Sequence, residues 1–204
     1  MAKTKHLAYS EARCQIQDGD MLLFRPTDIR GVLIALGSVP FREWFSVLLG
    51  KRPLPHSHAA RAIWWGDSLW AVQQISNPYQ HLQRLSMLAE KYPGVIDVFQ
   101  LRRRYETKYD RTKAVETHKD ICLRPYGWWN LLRLVPRHLP FIRRLLPQDK
   151  DDYGKTSFPP FCSMAYSMSD RAGGIDPCPN LPDRDTEPHH LAKSPFYRLA
   201  FTLS

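Results

Sequence analysis

The sequence predicts one α+β domain with a small antiparallel sheet packed on a helix that begins at a cysteine. Residues 58–65 and 69–75 are two strand-like runs, and Gly66-Asp67-Ser68 between them is typical of a hairpin turn. Two further stretches have strand character, 95–101 and 194–203. No internal repeat and no shift in composition divides the 204 residues, so we predict a single domain, 1–204.

Outside these strands, the chain is predicted to form short helices and long ordered loops. A turn and a short apolar strand are predicted at 18–24. Seventeen prolines, clustered at 26–55 and 136–195, favour ordered loops over a compact helical bundle. Residues 1–15 are interpreted as a polar lead-in, and 26–55 and 133–157 as insertions. Helices are predicted at 28–36, 41–49, 82–91, 110–122 and 126–134.

Cys162 is the residue on which the functional prediction depends. It follows Pro159-Pro160 and opens a run that ends at Gly173-Gly174, so we expect it in the first turn of a helix. The N-terminus of a helix carries a partial positive charge, which favours thiolate over thiol. A thiolate becomes a useful nucleophile when a neighbouring base takes and returns its proton.

His58 is the predicted base for this thiol, and His56 is the alternative. The first hairpin strand begins at His58, and Gln73 and Gln74 lie near the end of the second. In an antiparallel hairpin the start of one strand lies beside the end of the other, so one glutamine should neighbour His58. Successive strand residues point to opposite faces, so only one of the two glutamines can orient the imidazole.

The four cysteines show no sign of a disulfide framework or a metal site. They lack CxxC spacing and a histidine pattern for zinc: Cys14, Cys122, Cys162 and Cys178. We therefore predict a reducing compartment, no metal and no cofactor. The first residues lack the apolar core of a signal peptide, and the longest apolar runs are too short to cross a bilayer, so the default prediction is a cytoplasmic protein.

A net charge of +9 favours polyanionic partners, and the alternative is a solvated basic face. Basic residues concentrate in Arg102-Arg103-Arg104 and in 124–144. An anionic polymer or a membrane surface fits this charge. Nucleic acid ranks last, because no aromatic and basic recognition motif accompanies it. The basic, apolar segment 141–146 either lies on a membrane surface or packs as an insertion, and we prefer the second interpretation.

Short blocks occur along the chain in a particular order: 18–24, 57–59, 69–73, 126–128, 161–163 and 188–194. In this order they resemble the permuted papain-like branch of the NlpC/P60 superfamily, to which the YiiX/YaeF-like cysteine hydrolases belong. The histidine strand precedes the cysteine helix in that branch, the reverse of ordinary papain order. The resemblance covers residues 16–203 and implies a circularly permuted papain-like fold, with phage-encoded members among the proteins to consider.

The resemblance implies roles for three residues. Cys162 matches the nucleophile, His58, which follows a serine, matches the general base, and Gln73 matches the third polar position. Many relatives carry a glutamate there, and an amide orients the imidazole without stabilising an imidazolium as a carboxylate does. The oxyanion hole would use the Cys162 backbone N–H. Candidates for the substrate cleft are Tyr126, Trp128, Ser57 and Ser163, with core packing as the alternative for the aromatic residues.

Three functions are consistent with these residues. The first is a cysteine peptidase or amidase that cleaves an amide, in a peptide or a cell-wall peptide, or an ester. The second is a non-catalytic structural or binding module that keeps the same fold, such as a phage virion component. The third is a lipid acyltransferase or thioesterase. The substrate would accordingly be a peptide, a cell-wall fragment or a lipid derivative, and the sequence predicts no oligomeric state.

Overall fold

A computed structural model describes residues 5–27, 32, 41–51, 53–77, 81–132 and 159–203. Within these ranges the chain is an α+β fold with a seven-stranded mixed sheet, which confirms the predicted class. The helix predicted at 28–36, apart from Val32, lies outside the described residues, as do the insertion at 133–157 and the basic segment at 141–146. No helix within the described ranges combines the length and the apolar character needed to cross a membrane.

The elements of the described part of the chain are as follows. The strands are β1 His6–Leu7, β2 Met21–Pro26, β3 His58–Trp65, β4 Ser68–Val72, β5 Leu82–Arg84, β6 Gly94–Leu101 and β7 Tyr197–Leu203. The α-helices are α1 Tyr9–Ala12, α2 Phe41–Leu48, α3 Leu85–Lys91, α4 Arg111–Cys122, α5 Trp128–Leu132, α6 Cys162–Ala172 and α7 Pro188–Leu191. Short 3-10 helices occupy Arg13–Gln15, Arg103–Lys108 and Asp183–Asp185.

The strands are ordered β1-β7-β6-β2-β3-β4-β5 across the sheet. All neighbours are antiparallel except β1 and β7, which run parallel. The β3–β4 hairpin turns at Gly66-Asp67 and sets Trp65 opposite Ser68. Gly66 has a φ of 57°, in the left-handed region that glycine enters without steric cost. This turn fixes the register that later brings the two ends of the hairpin together.

Helix α6 packs against β3 and α4 on one face of the sheet. Tyr166 of α6 lies in an apolar cluster with residues that point to this face: Met21, Leu23 and Ala59. Alternation sends Leu22, Phe24 and Ala60 into a second buried cluster on the other face. Because β2 and β3 are covered on both faces, their sequences are nearly continuous apolar runs.

A buried ion pair joins β3 to α6. Arg61 and Asp170 are both fully buried, and Arg61 Nη2 lies 2.6 Å from Asp170 Oδ1. Tyr109 and Tyr197 each donate a hydrogen bond of 2.7 Å to the Asp170 carboxylate. The Tyr166 ring lies against the guanidinium, with its centroid 4.1 Å from Cζ. Opposite charge and hydroxyl donors compensate the burial of both ions, so the pair fixes the position of α6 on β3.

The structure corrects three predictions about the sheet. First, the sheet has seven strands and is not small. Second, it is mixed and not purely antiparallel, because the predicted lead-in at 1–15 contains β1, which pairs in parallel with β7. Third, the helix predicted at 82–91 begins only at Leu85, since Leu82–Arg84 forms β5 against β4. These edge strands have two and three residues, and their pairing partners, rather than their own sequence pattern, determine their conformation.

Candidate active site

Three polar side chains from different parts of the chain meet at one end of the strands. His58 is the first residue of β3, Gln73 follows β4 directly, and Cys162 is the first residue of α6. The hairpin register sets Gln73 diagonal to His58 across the two strands. The packing of α6 on β3 adds Cys162 to this pair, so residues 104 positions apart in the chain come together.

The imidazole of His58 is held between Gln73 and Cys162. Its Nε2 atom lies 2.9 Å from Gln73 Oε1. A carbonyl oxygen only accepts hydrogen bonds, so Nε2 carries the hydrogen and Nδ1 is left for the thiol. His58 and Cys162 are hydrogen-bonded to each other. The arrangement therefore selects the tautomer whose Nδ1 can take the thiol proton.

Gln73 is itself oriented by its neighbours. Its Nε2 donates to Gln83 Oε1 over 2.8 Å, which leaves Oε1 of the same amide to accept from His58. The Gln73 backbone N–H donates to the His81 carbonyl over 2.9 Å. Gln83 belongs to β5, which the sequence pattern predicts as part of the helix at 82–91. Sequence reasoning therefore missed Gln83, and no local signal would have revealed it.

Cys162 is only 3% exposed, yet its surroundings favour the thiolate. Burial alone would raise the pKa of the thiol. The charge of His58 and its hydrogen bond, with the backbone N–H groups of Ala59 and Ser163, outweigh burial and hold this pKa below its ordinary value of 9.0. No side chain caps the start of α6, so its first N–H groups keep their partial positive charge beside the sulfur.

His58 shows the complementary shift. Burial would lower the pKa of the imidazole, but the charge of Cys162 and the hydrogen bonds to Cys162 and Gln73 raise it above its ordinary value. Phe24 packs against the ring, with centroids 5.3 Å apart. Both shifts favour the charged forms, a thiolate on Cys162 and an imidazolium on His58.

The chain immediately before Cys162 is held by hydrogen bonds from two other segments. Gln74 is fully buried, and its Nε2 lies 2.9, 3.1 and 3.4 Å from three carbonyl oxygens, those of Arg124, Pro125 and Pro160. The Gly127 N–H donates to Pro160 O over 2.9 Å, and a Cβ at Gly127 would lie 2.0 Å from Pro159 O. Only glycine permits this approach. Gln74 therefore positions the backbone, and Gln73 is the glutamine that contacts His58.

The two aromatic candidates for the cleft lie next to the nucleophile. Tyr126 packs in an apolar cluster with Phe161, Cys162 and Met164. Trp128 stacks edge-on against Tyr126, with ring centroids 5.0 Å apart, and 53% of its surface is exposed. Tyr126 is therefore part of the apolar packing around the Cys162 sulfur. Trp128, beside Tyr126, presents an aromatic surface to solvent.

The two serine candidates have backbone roles. The Ser57 N–H donates to the Phe24 carbonyl over 2.9 Å and extends the β2–β3 pairing by one residue. Ser163 is fully buried, and its Oγ donates to the Thr186 carbonyl over 2.8 Å. The helix turns the Ser163 side chain towards the loop before α7, so its hydroxyl contacts that loop. Its backbone N–H, in contrast, contacts the thiol.

His56, the alternative base, binds a different partner. Its Nε2 lies 2.8 Å from Asp97 Oδ2, and Asp97 also accepts from Arg25 over 2.9 Å and from Thr202 over 2.5 Å. Burial lowers the pKa of His56 in spite of the Asp97 carboxylate. His56 therefore attaches the segment before β3 to β6 and β7, and His58 is the histidine beside the thiol.

The other thiols lack these features. All four cysteines are free. Burial raises the pKa of Cys178 to about 12 and shifts that of Cys122 in the same direction, whereas Cys14 is exposed. Within the described ranges, no group of three or more His, Cys, Asp or Glu side chains is arranged to hold a metal ion.

A cavity of about 610 Å³ lies between α4 and the second half of α6. Its lining includes Ile121, Arg124, Met168 and Asp183. Cys162, His58 and Gln73 do not line it. Met168 also packs in the apolar cluster around Cys162. The cavity is therefore a neighbour of the candidate site and does not contain it.

Replacing Gln73 with leucine is expected to slow alkylation of Cys162 at pH 7 by about 10–100-fold, the worth of one hydrogen bond to a charged group. Without the acceptor, the imidazole loses the contact that selects its tautomer. Gln73→Glu should keep or increase the rate, because a carboxylate accepts the same hydrogen bond and favours the imidazolium. The measurement is the rate of iodoacetamide modification at Cys162 by peptide mass mapping. Equal rates in the leucine and glutamate variants would contradict the orienting role.

Comparison with known proteins does not assign the chain to a family. No family model matches the chain, and no curated protein matches it.

Proposed function

We propose that this protein is a cysteine hydrolase of the permuted papain-like type, with Cys162 as nucleophile, His58 as base and Gln73 as the residue that orients the base. The observation that supports this proposal is the hydrogen-bonded series Cys162–His58–Gln73 at the start of α6. A nucleophile and its base need pKa values displaced towards each other, and these two groups have that property. The bond cleaved is an amide, in a peptide or cell-wall peptide, or an ester.

The reaction has two halves. In the first, the Cys162 thiolate attacks the substrate carbonyl carbon, and the bond to the leaving nitrogen or oxygen breaks as the His58 imidazolium donates its proton to that atom. The product is a thioester on Cys162. In the second, neutral His58 takes a proton from water, the hydroxide attacks the thioester, and the carbon–sulfur bond breaks. This step restores the thiolate and the imidazolium, and releases the acid.

The charge that develops on the carbonyl oxygen needs hydrogen-bond donors. The backbone N–H of Cys162 lies at an uncapped helix N-terminus and has no partner within the helix. The dipole of this 11-residue helix adds to the stabilisation of an anion at the same place. In the proposed mechanism the start of α6 therefore serves twice, for the thiolate in the resting state and for the oxyanion during the reaction.

The proposal is tested by trapping the thioester. The wild-type protein is mixed with a p-nitrophenyl ester and, separately, with fluorogenic peptide amides, quenched in acid, and analysed by mass spectrometry. We expect an acyl adduct on Cys162 that hydroxylamine removes. His58→Ala should lose both the adduct and the turnover, whereas Cys14→Ala, which removes an exposed thiol, should keep both. Turnover that survives in Cys162→Ala would contradict the proposal.

A second candidate is a non-catalytic module that keeps the same site, and the burial of Cys162 to 3% exposure favours it. The expected results differ. In that case Cys162→Ala would fold and assemble normally, and neither esters nor peptide amides would acylate the wild-type protein. Slow labelling of Cys162, no faster than that of Cys14 at pH 7, would also support the module over the hydrolase.

A further inference from the structure

Four arginines form a concave basic surface at the end of the strands opposite to the candidate active site. Arg102, Arg103 and Arg104 follow β6, and Arg198 lies on the neighbouring strand β7. The antiparallel register pairs Arg198 with Gln100, two residues before the first of the three. Together the four side chains line a depression of about 470 Å³. We call this surface the arginine basin.

The backbone of the arginine basin is fixed. The Arg102 N–H donates to the Phe196 carbonyl over 2.8 Å, and Arg102 Nε donates to the Tyr197 carbonyl over 3.0 Å. Tyr105, in the 3-10 helix, packs on Phe196 with ring centroids 4.7 Å apart. The Arg104 guanidinium lies 4.7 Å from the Tyr105 ring centroid. The four cations therefore project from a prearranged scaffold and not from a loose tail.

The charges of the basin are uncompensated within the described part of the chain. All four arginines are exposed, and none of them forms an ion pair with a described carboxylate. Three half-buried arginines elsewhere in the described chain, Arg25, Arg111 and Arg171, each pair with an aspartate instead. Four like charges around one depression repel each other, which makes an anion that neutralises them a favourable ligand.

The basin is separate from the candidate active site. His58 pairs with Phe24, and Phe24 pairs with Ile96 near the start of β6. Arg102 lies six residues beyond Ile96 in the direction of β6. At the ordinary rise of a strand, this separation is on the order of 20 Å. A ligand in the basin would therefore not contact Cys162, and its binding is independent of the proposed hydrolysis.

We propose that the arginine basin binds a multiply charged phosphoryl group. Guanidinium groups present paired N–H donors that match the oxygens of phosphate, and they remain charged at every physiological pH. A depression of this size accommodates two or three linked phosphoryl groups or one phosphomonoester headgroup, within the usual range of ligand sites. A soluble polyphosphate and an anionic lipid headgroup share this chemistry.

The test uses sodium tripolyphosphate as the soluble probe and vesicles of phosphatidylcholine with phosphatidic acid as the lipid probe. Titration calorimetry of the full chain in 50 mM salt should show saturable binding of tripolyphosphate, weakened at 200 mM salt because the contacts are ionic. Arg103→Gln combined with Arg198→Gln should weaken it at least tenfold. Vesicle co-sedimentation that depends on the same two arginines would assign the lipid source, and tripolyphosphate binding alone would assign the soluble one.

The matched control is Lys113→Gln combined with Lys119→Gln, which removes the same net charge from α4, whose lysines do not line the basin. We expect this variant to bind both probes like the wild-type protein. Equal weakening in the two double variants would show a general effect of net charge and overturn the proposal, as would the absence of saturable binding by the wild-type protein to either probe. Because neither probe reports on hydrolysis, failure here leaves the assignment of Cys162 unaffected.

Discussion

Replacing His58 with alanine is expected to slow alkylation of Cys162 at pH 7 by about 100-fold or more. Without His58 the pKa of the thiol rises, because burial is then opposed only by the backbone N–H groups around the sulfur. A thiol with an ordinary pKa near 9 is about 1% ionised at pH 7, whereas the thiolate of an ion pair is largely formed. The lower intrinsic nucleophilicity of a low-pKa thiolate offsets part of this factor.

The pH profile separates an electrostatic effect from a steric one. In the wild-type protein the alkylation rate should rise and level off below pH 9, since the pKa of Cys162 lies below its ordinary value. In His58→Ala the rate should still be rising at pH 9. Removing the imidazole also opens the buried site, which on its own would speed the reaction. A slower rate therefore reports loss of the charge partner and not loss of access.

The design contains its own controls. Cys14 is exposed and serves as an internal standard for the reagent in each sample. His56→Ala should leave the Cys162 rate nearly unchanged, because His56 binds Asp97. Labelling of Cys162 that stays fast in His58→Ala, or that falls in His56→Ala instead, would exclude His58 as the base.

The hairpin and the cysteine helix were predictable because their signals are local. The Gly66-Asp67 turn lies between two apolar runs, and Gly173-Gly174 ends a helix-compatible run that begins at Cys162. Geometry then follows from the fold type, since a tight antiparallel hairpin always sets the start of one strand beside the end of the other. The contact between His58 and Gln73 is a consequence of that rule.

The residues that hold the candidate site in place were not predictable, because their conformations depend on contacts with distant parts of the chain. Gln83 lies on an edge strand of three residues, and only the presence of β4 makes it a strand. Ser163 is a cleft candidate in the sequence, where it stands directly beside the nucleophile. On a helix, consecutive side chains point about 100° apart, so this residue faces the loop before α7.

Arg61 is the most informative omission. It stands in the run His58–Trp65, where a single cation among apolar residues has no local meaning. Its partner Asp170 lies 109 residues later. Such a pair is visible only after the strand and the helix have been packed together, and it lies between the elements that carry His58 and Cys162. The network that holds the candidate site together is thus the part that sequence patterns could not show.

Replacing Asp170 with alanine is therefore expected to lower the free energy of unfolding by about 3–5 kcal/mol, the usual effect of leaving one buried charge without its partner. Arg61 stays buried and charged, and the hydroxyls of Tyr109 and Tyr197 lose their acceptor. The whole stability of a domain is only about 5–15 kcal/mol, so the variant should be partly unfolded at 37 °C. Urea unfolding at 25 °C measures the change.

Two variants distinguish the ion pair from a general effect of substitution. Glu116→Gln, which breaks the exposed pair with Lys119, should change the unfolding free energy by less than about 1 kcal/mol. Arg61→Met combined with Asp170→Leu removes both charges and should recover part of the loss, because the unpaired ion, and not the missing bond, dominates it. If Asp170→Ala instead unfolds at the wild-type urea concentration, the attachment of α6 to β3 depends on apolar packing alone. In that case Cys162 alkylation in the variant should also match the wild type, whereas a weakened attachment should slow it even in the folded fraction.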